Sequence, residues 1–181
     1  MRSFIAIGFS NEKIEEVLRE LAGVQADIKL VEPQNTHITL KFLGEIDEAR
    51  VEEIYRAMKK SFEPFSKFNV SIQGLGAFPS TNYMRVVWAG FKDNREKLIE
   101  LQRALDSNLS LLNFKKEKRF EPHLTIGRVK SRRGKEELKA FVLKHRDTDF
   151  GSFSVDKIEL KKSTLTSKGP IYSTIKACEL K

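Results

Sequence analysis

The chain holds only three histidines, and two of them stand in near-identical settings: Thr-His-Ile-Thr-Leu at 36–40 and Pro-His-Leu-Thr-Ile at 122–126. In an extended strand residues i and i+2 share a face. His37 therefore projects beside Thr39 and His123 beside Thr125, while Ile38 and Leu124 turn to the opposite side. Two such strands facing each other would gather two imidazoles and two hydroxyls in a small volume. Histidine, with an ordinary pKa of about 6.5, can supply one neutral and one protonated copy near neutral pH. Such a pair serves as general base and general acid. That division suits displacement at phosphorus, where one proton leaves the attacking oxygen as another reaches the departing alkoxide, each transfer being worth roughly 100- to 10,000-fold. The threonine hydroxyls can donate to non-bridging phosphate oxygens, and Lys41 or Arg128 could balance the developing charge. A single His-x-Thr is more often structural; two copies in matching surroundings favour function.

Simple alternation puts Lys41 on the face of His37 as a phosphate or rim contact. It puts Arg128 on the face opposite His123, so Arg128 reaches a phosphate only if the strand twists, bulges or ends near Gly127. No metal is expected. Two histidines without carboxylates at ligand spacing make a poor mononuclear site, and Glu45 and Glu121 lie at the ends of the motifs. The sequence contains no Walker loop, Gly-x-Ser-x-Gly elbow or dinucleotide fingerprint, so neither a nucleotide triphosphate nor any other cofactor is expected.

The elements that would position these residues are readable from periodicity. "RSFIAIGF" is a short strand, and Ser10 stands at the N-cap position of a helix with the stripe Ile14, Val17, Leu18, Leu21. "THITLKFLG" alternates, with Ile38, Leu40 and Phe42 on one face. Asp47 can cap a second helix carrying Val51, Ile54, Tyr55, Met58 and Phe62. "FNVSI" alternates until the glycines and Pro79 of "GLGAFPS" break the pattern, and "RVVWAGF" resumes it after a loop around Ser80 to Met84. A third helix carries Leu98, Leu101, Leu105, Leu109 and Leu112, and a fourth, after the second histidine strand, carries Leu138, Phe141 and Val142. "FSVDKIELKKSTLT" and "GPIYSTIKACEL" read as two final strands turning at Gly169 and Pro170. The histidines lie 86 residues apart, 37 to 123, about half of the 181-residue chain. That is a repeat of architecture, and it predicts two similar α+β lobes facing across a pseudo-twofold cleft, packed as one unit.

Composition bounds the partners. An apolar content of 40% suits a globular core, no apolar run reaches membrane-spanning length, and the N-terminus does not read as a secretory signal, so the expectation is a cytosolic protein. The single cysteine, Cys178, forms no internal disulfide and reads as a packing residue. Lys and Arg exceed Asp and Glu by 33 to 25, a net charge of +8 that favours a polyanion. Lys115, Lys116, Lys118 and Arg119 before the second motif, and Lys130, Arg132, Arg133 and Lys135 after it, could meet an RNA backbone in salt-sensitive binding.

With these motifs in view, the chain resembles the RNA 2′,3′-cyclic phosphodiesterase family, also called 2′-5′ RNA ligases, within the two-histidine phosphoesterase superfamily. The similarity rests on "RSFIAIGF", "THITLKFLGE", "GLGAFP", "RVVWAG", "PHLTIGRV" and "GPIYS". The resemblance implies a single bilobal α+β domain of two intertwined lobes over 1–181, with antiparallel-rich sheets, outer helices and a central basic cleft. It implies metal-independent hydrolysis of a terminal 2′,3′-cyclic phosphate on RNA to a 2′-phosphomonoester, with reverse 2′-5′ ligation in some members. By position, His37 would donate a proton to the departing 3′ oxygen, His123 would activate water, and Thr39 and Thr125 would hold the phosphate. Arg128 matches a family arginine five residues after the second histidine. Met84 stands where the family pattern leads one to expect proline. The partner expected is RNA with a cyclic phosphate end, tRNA fragments among the candidates, met by a monomer. Two alternatives remain open to the sequence: a non-catalytic module binding RNA ends, and a phosphoesterase for another cyclic or 2′-5′ nucleotide.

Among other residues, His145 reads as a helix-end histidine, Trp88 as core, and Tyr172 and Phe9 as rings that could stack on a terminal base.

Overall fold

Nine strands and four helices account for most of the chain in a computed structural model, which describes residues 1–9, 11–167 and 169–181. In order they are β1 (Arg2–Gly8), α1 (Glu12–Ala22), β2 (Ile28–Leu30), β3 (His37–Glu45), α2 (Val51–Phe62), β4 (Phe68–Ser80), β5 (Tyr83–Phe91), α3 (Arg95–Ser110), β6 (Leu124–Val129), α4 (Lys135–Lys144), β7 (Asp149–Val155), β8 (Lys157–Thr166) and β9 (Gly169–Glu179). The strands run β7-β4-β5-β6-β3-β1-β8-β9, with β2 also on β6, and every pairing is antiparallel. Read outward from the middle, β6-β5-β4-β7 on one side matches β3-β1-β8-β9 on the other. The α+β, pseudo-symmetric architecture expected from the spacing of the histidines is therefore present as two half-sheets joined at β3 and β6. The joint is a single residue pair, Ile38 opposite Leu124, the residues between each histidine and its threonine. Beyond that pair β6 takes β2 as its neighbour, Leu30 facing Gly127 and Lys29 facing Arg128.

The helices bury most of the predicted stripes; Tyr55 is only partly buried, and Leu112, also partly buried, lies past the end of α3 at Ser110. Ile14, Val17, Leu18 and Leu21 of α1, Val51, Ile54, Met58 and Phe62 of α2, Leu98, Leu101, Leu105 and Leu109 of α3, and Leu138, Phe141 and Val142 of α4 are all buried in a common apolar cluster. Each such side chain contributes about 1.5–3 kcal/mol by leaving water. The cap of α1 is Asn11, whose Oδ1 accepts from Lys13 N (2.8 Å) and Ile14 N (3.2 Å). The cap expected at Ser10 lies outside the described residues. Asp47 accepts from Ala49 N at 2.9 Å and starts a 3-10 turn that leads into α2.

Two strand expectations need correction, and one strand was not expected. β4 runs unbroken through its glycines to Ser80, because the glycines make room for neighbours: a Cβ on Gly76 would run into the Trp88 ring of β5. The predicted strand over 153–166 is two strands, broken at Asp156, that lie at opposite parts of the sheet, β7 beside β4 and β8 beside β1. β2 was not legible because three residues, the exposed Lys29 between half-buried Ile28 and Leu30, are too few to establish a period.

Candidate active site

Both histidine strands carry the same irregularity in the same place. In β3, Thr39 lies opposite Ala6 and Lys41 opposite Ile5, which leaves Leu40 as the extra residue of a bulge. In β6, Thr125 lies opposite Trp88 and Gly127 opposite Val87, which leaves Ile126 extra. A bulge reverses the facing of every residue after it. The fifth residue after each histidine, Phe42 in one half and Arg128 in the other, therefore comes round to the side of its histidine and threonine and lines the same cleft. Arg128 thus reaches the cleft by the route that alternation alone had made conditional.

The same bulge corrects the expectation for Lys41. Lys41 is 3% exposed and turned toward α3, where Nζ lies 2.6 Å from Asp106 Oδ1 and 3.1 Å from Glu117 Oε1 and donates to the Lys115 carbonyl at 2.5 Å. Two carboxylates neutralise its charge, so it is not a phosphate ligand. Phe42, expected in the core beside Ile38 and Leu40, is instead 62% exposed.

His37, Thr39, His123, Thr125 and Arg128 line one cleft of about 1080 Å³. Each histidine is oriented by the same device. Nδ1 of His37 lies 2.7 Å from the Asn35 carbonyl, and Nδ1 of His123 lies 2.7 Å from the Glu121 carbonyl. A carbonyl can only accept, so Nδ1 carries the hydrogen in both rings and Nε2 is the atom left to exchange protons. The His37 ring is further held by Phe4 (centroids 5.0 Å apart) and by the edge of Tyr172 (5.3 Å), and His123 by the edge of Phe78 (5.1 Å).

Burial pushes the pKa of His37 below its ordinary value, against the hydrogen bond to Asn35, which raises it. The positive charges of Lys161, Arg128 and His123 lower it further. In the free protein His37 thus gives up its proton readily. The cleft is positive: Arg2, Lys29, Arg119, Arg128 and Lys130 line it, and none has an ion-pair partner among the described residues. Of the acids lining it, Glu117 pairs with Lys41 and Glu121 with Arg95.

A family model described as LigT like phosphoesterase matches residues 7–88 and again 91–172, one segment for each histidine motif. The chain belongs to the LigT-like phosphoesterase family. It is similar to the RNA 2′,3′-cyclic phosphodiesterase of Methanocaldococcus jannaschii, 44% identical over 97% of this chain and 99% of that protein. The protein of the same name from Archaeoglobus fulgidus is 42% identical over 99% of this chain and all of its own length. In fold it matches the crystal structure of TT0787 of Thermus thermophilus, with a TM-score of 0.80 and 24% identity, covering 99% of this chain and 98% of that one. The resemblance read from the paired motifs is thereby borne out, as is the fold it implied.

Within this LigT-like cleft the remaining sequence expectations sort by position. Tyr172 stands at the cleft beside His37, whereas Phe9 is buried against Phe153 in the core. Trp88 packs on Phe78 and over Gly76, away from the cleft lining. In the segment from Ser80 to Met84, Met84 is buried and Tyr83 points outside the cleft, leaving Phe78 and Pro79 as the part of this hairpin that lines it. His145 ends α4, with Nδ1 3.1 Å from Thr148 Oγ1 and Nε2 3.3 Å from Glu20 of α1. Burial pushes the Cys178 thiol up to about 11, an unreactive packing residue. Sequence reading missed Phe4, Phe42 and Phe78 as cleft residues. Phe42 had a usable signal: it follows His37 at the spacing by which Arg128 follows His123.

Proposed function

We propose that the protein hydrolyses the terminal 2′,3′-cyclic phosphate of RNA to a 2′-phosphomonoester, with His37 and His123 as the acid and base. The observation that carries this reading is the pair of identically tethered imidazoles on the two strands that meet at Ile38 and Leu124, opening on one positive cleft. The names of its relatives support the substrate.

In this mechanism the neutral Nε2 of His123 takes a proton from water as the water oxygen attacks phosphorus. The bond from phosphorus to O3′ breaks, and Nε2–H of His37 delivers its proton to O3′. Thr39 and Thr125 donate to the non-bridging oxygens, and Arg128 offsets their charge. A donor with a depressed pKa transfers its proton more easily, and the bound anion restores the protonated fraction that burial removes. Both proton transfers are met by side chains of the protein, so turnover should survive chelation. The same steps with an RNA 5′-hydroxyl in place of water as nucleophile would join the two ends through a 2′-5′ bond, O3′ again leaving with the proton from His37. Because one chain supplies both histidines, a monomer suffices, and RNA as substrate together with the unpaired cysteine favours the cytoplasm. Fragments of tRNA with cyclic ends fall within the proposed substrate class.

The test separates catalysis from mere binding. His37→Ala and His123→Ala should each lose at least 100-fold in kcat on a cyclic-ended oligomer while KM changes little. Variants that weaken binding with no turnover to lose would make the protein an RNA-end-binding module.

A further inference from the structure

The two basic stretches around the second motif, alike in sequence, separate in the fold. Of the second stretch, Lys130 lines the cleft, whereas Arg132, Arg133 and Lys135 do not. Lys115, Lys116, Lys118 and Arg119 line a groove of about 610 Å³ with Phe42 and Gly44, and Phe42, Gly44 and Arg119 line the main cleft as well. The groove is thus a continuation of the active-site cleft past the ring of Phe42.

This arm is built rather than loose. Its backbone is pinned by the buried Lys41, which donates to the Lys115 carbonyl, and by Asp106, which accepts from Glu117 N at 2.8 Å. With the segment held from below, its four cations are exposed, and none is ion-paired among the described residues. The Glu117 carboxylate, the only acid lining the groove among the described residues, is turned to Lys41. Phe42 stands at the mouth, with its ring 6.2 Å from Phe4, which in turn contacts His37. A large aromatic ring left in water beside unpaired cations is the composition of a single-strand platform, where rings stack bases and cations follow phosphates.

We infer that this groove is a lane for the RNA strand preceding the cyclic end, with a base stacked on Phe42 and phosphates along Lys115, Lys116, Lys118 and Arg119. The inference rests on the proposed hydrolysis, and it adds that substrate is read beyond its terminal nucleotide, along this arm of the cleft.

The test compares a 2′,3′-cyclic mononucleotide with an oligomer of about ten nucleotides ending in the same nucleotide, a length suited to such platforms. In Phe42→Ala the ratio of kcat/KM for oligomer over mononucleotide should fall about tenfold. In the triple variant Lys115→Ala, Lys116→Ala, Lys118→Ala the mononucleotide should be hydrolysed as by the unaltered protein. For the oligomer that variant should flatten the dependence of log kcat/KM on log salt by about 2, roughly 0.7 for each lost phosphate contact. The same substitutions at Arg132, Arg133 and Lys135 should change the ratio less. Equal losses on both substrates, or no loss on the oligomer, would overturn the lane. Failure of the unaltered protein to turn over either substrate would refute the hydrolysis instead. The lane then stands or falls on whether Phe42→Ala weakens binding of a 2′-phosphate-ended oligomer by a similar factor.

Discussion

His37 is the residue whose setting makes the sharpest demand. Its proton affinity is depressed chiefly by burial and then by Lys161, Arg128 and His123. As the proton donor, His37 should set the descending limb of the kcat/KM profile, displaced to the acidic side of the ordinary imidazole range. Lys161→Met removes a charge that is not part of the cleft lining and should move that limb to higher pH. Movement of the ascending limb instead would make His37 the acceptor and exchange the two roles. The stability linkage has a definite sign. Below about pH 6.5 the unfolded chain binds more protons at this position than the native one. Stability therefore falls as pH drops from there to the lowered native pKa, and His37→Gln should remove that part of the fall in denaturant titrations. At this scale His37, His123, Thr39 and Thr125 were legible because the same four-residue pattern appears twice. Lys41 was misread because nothing in "THITLKFLG" announces an extra residue at Leu40.

That extra residue belongs to the strands as elements. Matching bulges at Leu40 and Ile126 place Phe42 and Arg128 at equivalent points of the two halves, one apolar and one charged, and so make a symmetric frame chemically asymmetric. The bulge in β3 also sends Lys41 into its buried pair with Asp106. Lys41→Met leaves Asp106 buried without its partner and should cost about 3–5 kcal/mol in urea unfolding. Adding Asp106→Leu should recover much of that loss, as removal of both charges usually does. Failure to recover any of it would mean that the Asp106 contact to Glu117 N dominates. Gly76→Ala should cost about 1–3 kcal/mol by forcing a methyl against Trp88. Helices were legible from their stripes, since burial on one face demands that spacing. The continuation of β4 through its glycines was not, because the reason for them sits on a neighbouring strand.

At the scale of the whole molecule, the spacing of the motifs was enough to foresee two half-sheets facing across a cleft. The separation of β7 and β8 into opposite halves was not foreseeable, because strand partners are chosen by tertiary packing; the slip in alternation from Phe153 and Val155 to Ile158 and Leu160 across Asp156 marks the break but not the partners. The shared positive cleft should make catalysis on RNA fall steeply with salt, and more steeply for oligomers than for a cyclic mononucleotide. The central claim is two-histidine hydrolysis of a cyclic phosphate end. Its most direct test is to incubate an RNA oligomer ending in a 2′,3′-cyclic phosphate with the protein in excess EDTA and identify the terminal phosphate formed. A 2′-phosphate, absent with His37→Ala and with His123→Ala, is the predicted result; an intact cyclic end, a 3′-phosphate, or turnover that survives loss of either histidine would contradict it.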